Sequence, residues 1–381
     1  MTLVFDRTDP SVPQVHALVV GVGGYRYLPG GPEEFAPPVL PLGQLLSPPL
    51  SAAAFADWTE KELRHPTAAL GSIELLLSRA PGTDPATHHD VGEPSADAFT
   101  TAVRQWKRRC DTQPGNVAVF FFCGHGLEYG NSYLLLEDYG ADGEDAPLEA
   151  ALDLTYLVKA MRGCLAGHQY FLVDACRTTP RSWSLIDRPS GLRPLVFSPV
   201  VVDRRRAMVV LQAAAGGTKA WAPPGGRGPS VFTASLLDAL RGRAATYDDE
   251  SEYWHVPFTR LIEVVSEDCH SVVGQVPDSR VQGVEPWHLL PGPPQVSVVV
   301  ACRPREAADQ VSPSLKPHDP AVPGPAGWHL RDSSWHTHAT AGQHELEVTF
   351  RHGGSFMRPP SRSVEIRPPR RTLWADSGEP R

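Results

Sequence analysis

A chain of 381 residues that is 41% hydrophobic is long enough for two domains and apolar enough to build a sizeable core. Its formal net charge is −8, and residues 295–381 hold 11 Lys+Arg against 9 Asp+Glu, so the acidic balance lies in the first 294 residues and nucleic-acid binding finds no support. The start, MTLVFDRTDPSVPQ, lacks the apolar centre of a signal peptide, and no run of about 18 apolar residues offers a membrane span, so a cytoplasmic protein without membrane contact is expected.

The Val-rich run 16–23 predicts a buried strand of a parallel sheet. Residues 24–50, rich in Pro and Gly, predict a loop, and helical spacing then runs from Ser51, a plausible N-cap, to Leu63. A strand at 72–78 and a helix at 95–110 precede the most apolar strand, 117–123, which stops at Gly124-His125-Gly126. A short strand at 132–136, a helix capped by Asp153 and ending near Gly163, and a strand at 169–173 follow, and the last stops at Asp174-Ala175-Cys176. Residues 177–206 are rich in Pro, Arg and Ser; a strand at 207–213 and helices near 230–241 and 257–269 come next. Alternating strands and helices imply an α/β layer with a mostly parallel sheet, whose reactive groups gather at the carboxyl ends of strands. After residue 290 the pattern becomes strand-like alternation, in QVSVVVACRP, HELEVTFRHG and SVEIRP, without helical segments. Residues 1–292 are therefore expected to form one domain and 295–381 a small β-sandwich, with a flexible Pro/Ser stretch near 311–325.

The six cysteines form no CxxC pair, which fits reduced thiols better than a zinc site or a disulfide framework. Cys176 and His125 each follow a strong strand, as a nucleophile and its base require for rigid placement. The backbone N–H groups of Gly126 and Cys176 are the candidate oxyanion donors. His88-His89-Asp90 could suggest a metal site, with a solvated loop as the alternative; no metal is needed for the chemistry.

The stretches ALVVGVGGY (17–25), VFFFCGHG (119–126), YFLVDACR (170–177) and LQAAAGGTKAWAPPGGRGPSVFTASLLDAL (211–240) resemble the caspase-like cysteine peptidases of family C14, in particular the bacterial metacaspase or orthocaspase branch. The separation of His125 from Cys176, 51 residues, is close to the caspase spacing of roughly 50. The resemblance covers about residues 14–290. It implies a caspase-like three-layer α/β fold, a His125–Cys176 catalytic pair and protein or peptide substrates, with no cofactor required for the chemistry.

In the metacaspase branch the aspartate two before the nucleophile lines the S1 pocket, which would make Asp174 select Arg or Lys at P1 through a charge-assisted hydrogen bond. The alternative is an aspartate that caps the turn after its strand. The sequence departs from that branch in reading Ser51-Ala52-Ala53-Ala54, with no acid before Asp57, where a second acid is usual, and in carrying Arg177 after the nucleophile. The segment 177–206 matches the place of a caspase processing linker. A basic-specific enzyme would find Arg177, Arg181, Arg188, Arg193 and Arg204-Arg205-Arg206 there; equally, these arginines could cover the surface, or Arg177 could order the active-site turn. Calcium activates many metacaspases, and Asp138, Asp142, Glu144 and Asp145 cluster after a strand, with a solvated loop as the alternative reading. The competing functions are an inactive caspase-fold module that recruits a partner through its C-terminal β-domain, and a caspase-fold peptidase with a different P1 preference; the β-domain could also receive an activating protein.

Overall fold

A computed structural model describes residues 2–34, 42–78, 91–141, 148–179, 191–197, 207–221, 223–226, 228–283, 286–325, 327–350 and 359–377. In chain order the elements are β1 (Leu3–Asp6), β2 (Gln14–Gly21), α1 (Ser47–Lys61), β3 (Ala69–Leu77), α2 (Ala96–Cys110), β4 (Val117–Gly124), β5 (Gly126–Tyr129), β6 (Asn131–Leu135), β7 (Ala151–Asp153), α3 (Leu154–Met161), β8 (His168–Ala175), β9 (Ala207–Gln212), α4 (Val231–Asp238), β10 (Thr246–Asp248), β11 (Tyr253–Pro257), α5 (Phe258–Val273), β12 (Asp278–Gln282) and β13 (Pro286–Leu289). Seven further strands follow: β14 (Gln295–Arg303), β15 (Val311–Pro317), β16 (His329–Arg331), β17 (Ser334–Thr340), β18 (Gly342–Phe350), β19 (Arg362–Ile366) and β20 (Arg370–Asp376).

The chain forms two compact units, 1–237 with 265–285, and 238–264 with 286–381. Unit 1 is an α/β layer structure around a seven-stranded sheet of order β1-β3-β2-β4-β8-β9-β12. Its interior pairings are parallel, and only the edge strands β1 and β12 run antiparallel. Every residue of β2 and β4 is buried, because helices cover both faces of the sheet, and the polar side chains on β2, Gln14 and His16, are hydrogen-bonded. On one face Phe55 of α1 stacks on Phe121 at 4.4 Å, while on the other Phe99 and Trp106 of α2 pack on Phe120. Leu157 and Met161 of α3 join that second face. The connections from β2 and β4 lead to opposite sides, to β3 and to β8, so the sheet has a topological switch point between these two strands.

Helix α1 begins at Ser47 and not at Ser51. Pro48 and Pro49 fit the first turn, where the missing N–H groups have no helical partner to lose. Ser51 is therefore interior and buried, and its hydroxyl is released to accept from the backbone N–H of Ser230 at 2.9 Å.

In unit 2, β16-β17-β14-β20 and β15-β18-β19 form two sheets that share one core, with Val296, Val298 and Val300 from the first and Leu315, Leu346, Val348 and Ile366 from the second. A third small sheet, β10-β11-β13, belongs to the same unit, so residues 238–264 and 286–292 lie with the β-rich part rather than with the first 237 residues. The stretch expected to be flexible near 311–325 contains β15, which pairs along its whole length with β18. Its alternating burial, from Val311 through Pro313 to Leu315, supplies the apolar face that offsets the prolines.

Candidate active site

Strands β4 and β8 are direct parallel neighbours, and their last paired residues are Gly124 and Ala175. The residues that follow, His125 and Cys176, therefore leave the sheet side by side at its carboxyl edge. Beyond them the two chains continue together. Leu127 and Thr178 form a parallel bridge, and Glu128 N–H donates to the Thr178 carbonyl at 3.1 Å. This close approach explains the glycine after His125: a Cβ on Gly126 would stand 2.4 Å from the Cys176 carbonyl oxygen. Leu135 N–H donates to the His125 carbonyl, which sets the alternation of the β5–β6 ladder and turns the Gly126 N–H away from β6.

The imidazole is held on two sides. Its Nε2 lies 2.8 Å from the Gly43 carbonyl, and a carbonyl can only accept, so Nε2 carries the proton and Nδ1 keeps its lone pair in the neutral ring. Burial pushes the His125 pKa down, and the Gly43 carbonyl partly opposes that shift. Tyr25, just beyond β2 on the other side of the switch point, packs its ring 4.9 Å from the imidazole. Its hydroxyl accepts from the His125 backbone N–H at 2.8 Å and donates to the Val22 carbonyl at 3.2 Å. Tyr25 lies within ALVVGVGGY, but nothing in that stretch distinguishes it from a core aromatic. Gly43 acts through its backbone, and a carbonyl leaves no mark in a sequence.

Cys176 is half-buried, and the other five cysteines are buried. Its Sγ accepts from Ala220 N–H at 3.2 Å. Burial raises the thiol pKa, and Asp174 adds to the rise; the Ala220 N–H and the charge of Lys219 oppose it. The loop bearing Ala220 is tied to the turn after Cys176, with Arg177 N–H donating to Thr218 O and Gly217 N–H to Arg177 O. Trp221, beside Ala220, is 51% exposed.

Of the readings left open for Arg177, its placement fits the ordering one. Its side chain is 8% exposed and pairs with Glu128 of β5 at 2.7 Å and Asp278 of β12 at 2.6 Å. With both backbone groups also bonded, it fastens the turn after Cys176 to two strands. Arg193 pairs with buried Asp153 at 3.2 Å and lies over the Tyr156 ring at 4.8 Å. Arg181, Arg188, Arg204, Arg205 and Arg206 lie outside the described residues, as do His88, His89 and Asp90.

Asp174 is buried at 3% exposure. Its Oδ2 accepts from the Ser230 hydroxyl and, at 2.6 Å, from the Thr233 hydroxyl. Ser230 also accepts from Thr233 N–H at 3.0 Å, so it caps the start of α4 while it holds the carboxylate. Burial pushes the Asp174 pKa up, and the hydroxyl donors pull it back. Asp138 is engaged as well, with both carboxylate oxygens accepting from Ala96 N–H at the start of α2. Asp142, Glu144 and Asp145 lie outside the described residues, and among those described no group of three or more His, Cys, Asp or Glu side chains could hold a metal. No described helix is long and apolar enough to cross a membrane.

The chain is similar to several known proteins. The family profile for the caspase domain, Peptidase_C14, matches residues 57–280. An uncharacterized protein of Sinorhizobium fredii, y4kE, is 30% identical over 208 residues, which is 52% of this chain and 57% of that protein. A probable protease of a Desulfuromonadales bacterium is 26% identical over 230 residues, 56% of this chain and 26% of that protein. The chain thus spans little more than half of the first relative and about a quarter of the second. Caspase-1 from Spodoptera frugiperda aligns with 72% of this chain and 91% of its own at 10% identity and a TM-score of 0.42. With more than half of its length matched by the profile, the chain belongs to the caspase-domain family, Peptidase_C14.

Proposed function

We propose that this chain is a cysteine endopeptidase in which Cys176 is the nucleophile and His125 the general base. The observation that carries the reading is the register of β4 with β8, which ends at Gly124 and Ala175 and sends the two side chains out of the sheet together. Since burial raises the thiol and lowers the imidazole, the resting pair is neutral, and the proton moves as the bond forms. Sγ attacks the scissile carbonyl carbon while its proton passes to His125 Nδ1. The N–H groups of Gly126 and Cys176 receive the developing oxyanion. His125 then gives the proton to the leaving amine, and a water, deprotonated by the same nitrogen, hydrolyses the thioester.

The reading extends to a basic P1 side chain, with Asp174 as the buried carboxylate nearest the nucleophile in sequence. Ser230 and Thr233 already hold Oδ2, so the carboxylate would favour a cation by its charge within a poorly solvated site. Exposed Trp221 offers an apolar wall for a neighbouring substrate residue. Self-processing, where it occurs, would use the arginines at 181, 188 or 204–206 rather than Arg177. Calcium activation remains part of the proposal, tested by adding and chelating the ion.

The test is reaction of the purified chain with a peptidyl acyloxymethyl ketone, mapping of the labelled residue by mass spectrometry, and turnover of peptides with Arg, Lys, Asp or Leu at P1. Labelling at Cys176 and preference for Arg or Lys are expected. Cys176→Ala should lower turnover by a factor on the order of 10⁴ or more, because the covalent route disappears. Unchanged turnover in folded Cys176→Ala would remove the assignment, and preference for Asp or Leu would remove the basic P1 proposal alone. If the folded wild-type chain neither takes the label nor turns over any peptide, with and without calcium, the binding-module reading replaces the enzyme.

A further inference from the structure

A cavity of about 190 Å³ in unit 1 lies between α3 and the sheet face formed by β9 and β12. From the helix, Thr155, Val158, Lys159 and Arg162 line it, and their spacing of three and four residues puts them on one face. From the sheet come Met208, Val210 and Gln212 of β9 and, paired with the first two, Gln282 and Arg280 of β12. All three ionisable side chains among the described lining residues, Lys159, Arg162 and Arg280, are cations. The carbonyl end of α3 favours positive charge in its last turn and cap, which accounts for Lys159 and Arg162. It does not account for Arg280, which brings a third like charge from β12. Lys159 and Arg280 have no ion-pair partner among the described residues. The one carboxylate of β12, Asp278, does not line the cavity and is held by Arg177 at 2.6 Å.

Gln212 is the second, independent sign of a ligand. It lines the cavity at 5% exposure, and its Oε1 is enclosed without a hydrogen-bond partner. With the oxygen shut away, the open end of the amide is Nε2, a donor. Buried polar groups are normally hydrogen-bonded, and an apolar residue would fill this position beside Val210 without the cost. An unused donor at the wall of a cavity lined by three cations gains a partner when an anion enters. Val158, Met208 and Val210 add an apolar wall. The volume falls below the roughly 300–1,000 Å³ of drug-sized sites, so the occupant is small.

We propose that this cavity binds a small phosphate monoester, its phosphoryl group held by Lys159, Arg162, Arg280 and the Gln212 amide, and its carbon body against Val158, Met208 and Val210. A phosphoryl group carries about two negative charges near pH 7 and offers three acceptor oxygens, which suits three cations and an N–H donor better than a singly charged carboxylate does. None of these residues takes part in the peptidase reading, so the site is independent of it.

The test is calorimetric titration of the full chain with phenyl phosphate, inorganic phosphate and phenol at low salt. Saturable binding of phenyl phosphate is expected, about tenfold or more tighter than phenol, which lacks the charge. It should also be about threefold or more tighter than inorganic phosphate, which lacks the apolar body. Arg280 is exposed, and Arg280→Gln should weaken phenyl phosphate by about threefold or more. Gln212→Leu should weaken it as well, whereas the control Arg370→Gln, an exposed change on β20 of unit 2, should leave it unaltered. Absence of saturable binding overturns the proposal, as does equal affinity for phenol. Inorganic phosphate binding as tightly as phenyl phosphate would reject the monoester in favour of a free anion. Unchanged affinity in Arg280→Gln, or an equal loss in Arg370→Gln, would place the binding elsewhere, and unchanged affinity in folded Gln212→Leu would remove the donor on which the site rests. If Gln212→Leu does not fold, the comparison of Arg280→Gln with Arg370→Gln decides.

Discussion

His125 can serve as a base only if its ring is held with one nitrogen committed and the other free, and three groups around it share that work. The Gly43 carbonyl commits Nε2, the Tyr25 ring packs against the imidazole, and the Tyr25 hydroxyl fixes the backbone beneath it. Tyr25→Phe keeps the ring and removes the hydroxyl, which leaves the buried His125 N–H and the Val22 carbonyl without their partner. A cost of about 1–3 kcal/mol is expected for such a loss. Turnover should fall about tenfold with KM little changed, because the base is displaced rather than the substrate; unaltered kcat in a folded variant would show that Gly43 alone suffices. Burial of His125 also sets the pH response. A depressed folded value means that the neutral ring is stable above the ordinary imidazole value of about 6.5 and is lost as pH falls through the lower folded value. The acid limb of kcat/KM should therefore lie below pH ~6.5, and a limb above that value would contradict the burial of the imidazole.

At the scale of elements, the strands that carry the site were legible and their partners were not. The runs at 117–123 and 169–173 read as strands because a sheet covered on both faces leaves a continuous apolar run, and β4 and β8 are there. Their adjacency was not legible in the residues, since no local pattern encodes which strands pair. Strand β12, DSRVQ, is an edge strand with four of its five residues exposed, so no apolar run marks it. Yet it supplies Asp278, which holds Arg177. The clasp between β8 and α4 was likewise hidden, because Ser230 and Thr233 reach Asp174 from the start of a helix far along the chain, and Ser51 of α1 in turn accepts from the Ser230 N–H. Asp174→Asn distinguishes the clasp from a specificity pocket. It removes the charge that two hydroxyls now serve, at a cost of about 1–3 kcal/mol. A clasp alone predicts a lower melting temperature and an equal loss of kcat/KM for every P1 residue. A pocket carboxylate predicts a loss on Arg and Lys peptides that exceeds the loss on Leu peptides by about tenfold or more.

For the molecule as a whole, no single cut separates the two units. Unit 1 needs residues 265–285, which come after 238–264 of unit 2. Those later residues matter to the site. β12 pairs with β9 from Asp278↔Gln212 to Gln282↔Met208, and Gln275 ties the Trp221 N–H to the Ala213 carbonyl. A chain ending at residue 292 keeps all of them and loses β14–β20. It also keeps β10, β11 and β13, whose cover in unit 2 is then gone; Trp254 packs against the core formed by the lost strands. Uncovering one large aromatic costs about 3 kcal/mol or more, by analogy with large-to-small core changes. The truncated chain should thus keep peptide cleavage at 15 °C, with kcat/KM within about threefold of the full chain, and melt at least several degrees lower. Calorimetry and turnover on one preparation check both parts. A folded truncation without cleavage would make residues 293–381 part of the catalytic machinery, whereas unchanged melting would mean that 238–264 draws its stability from elsewhere.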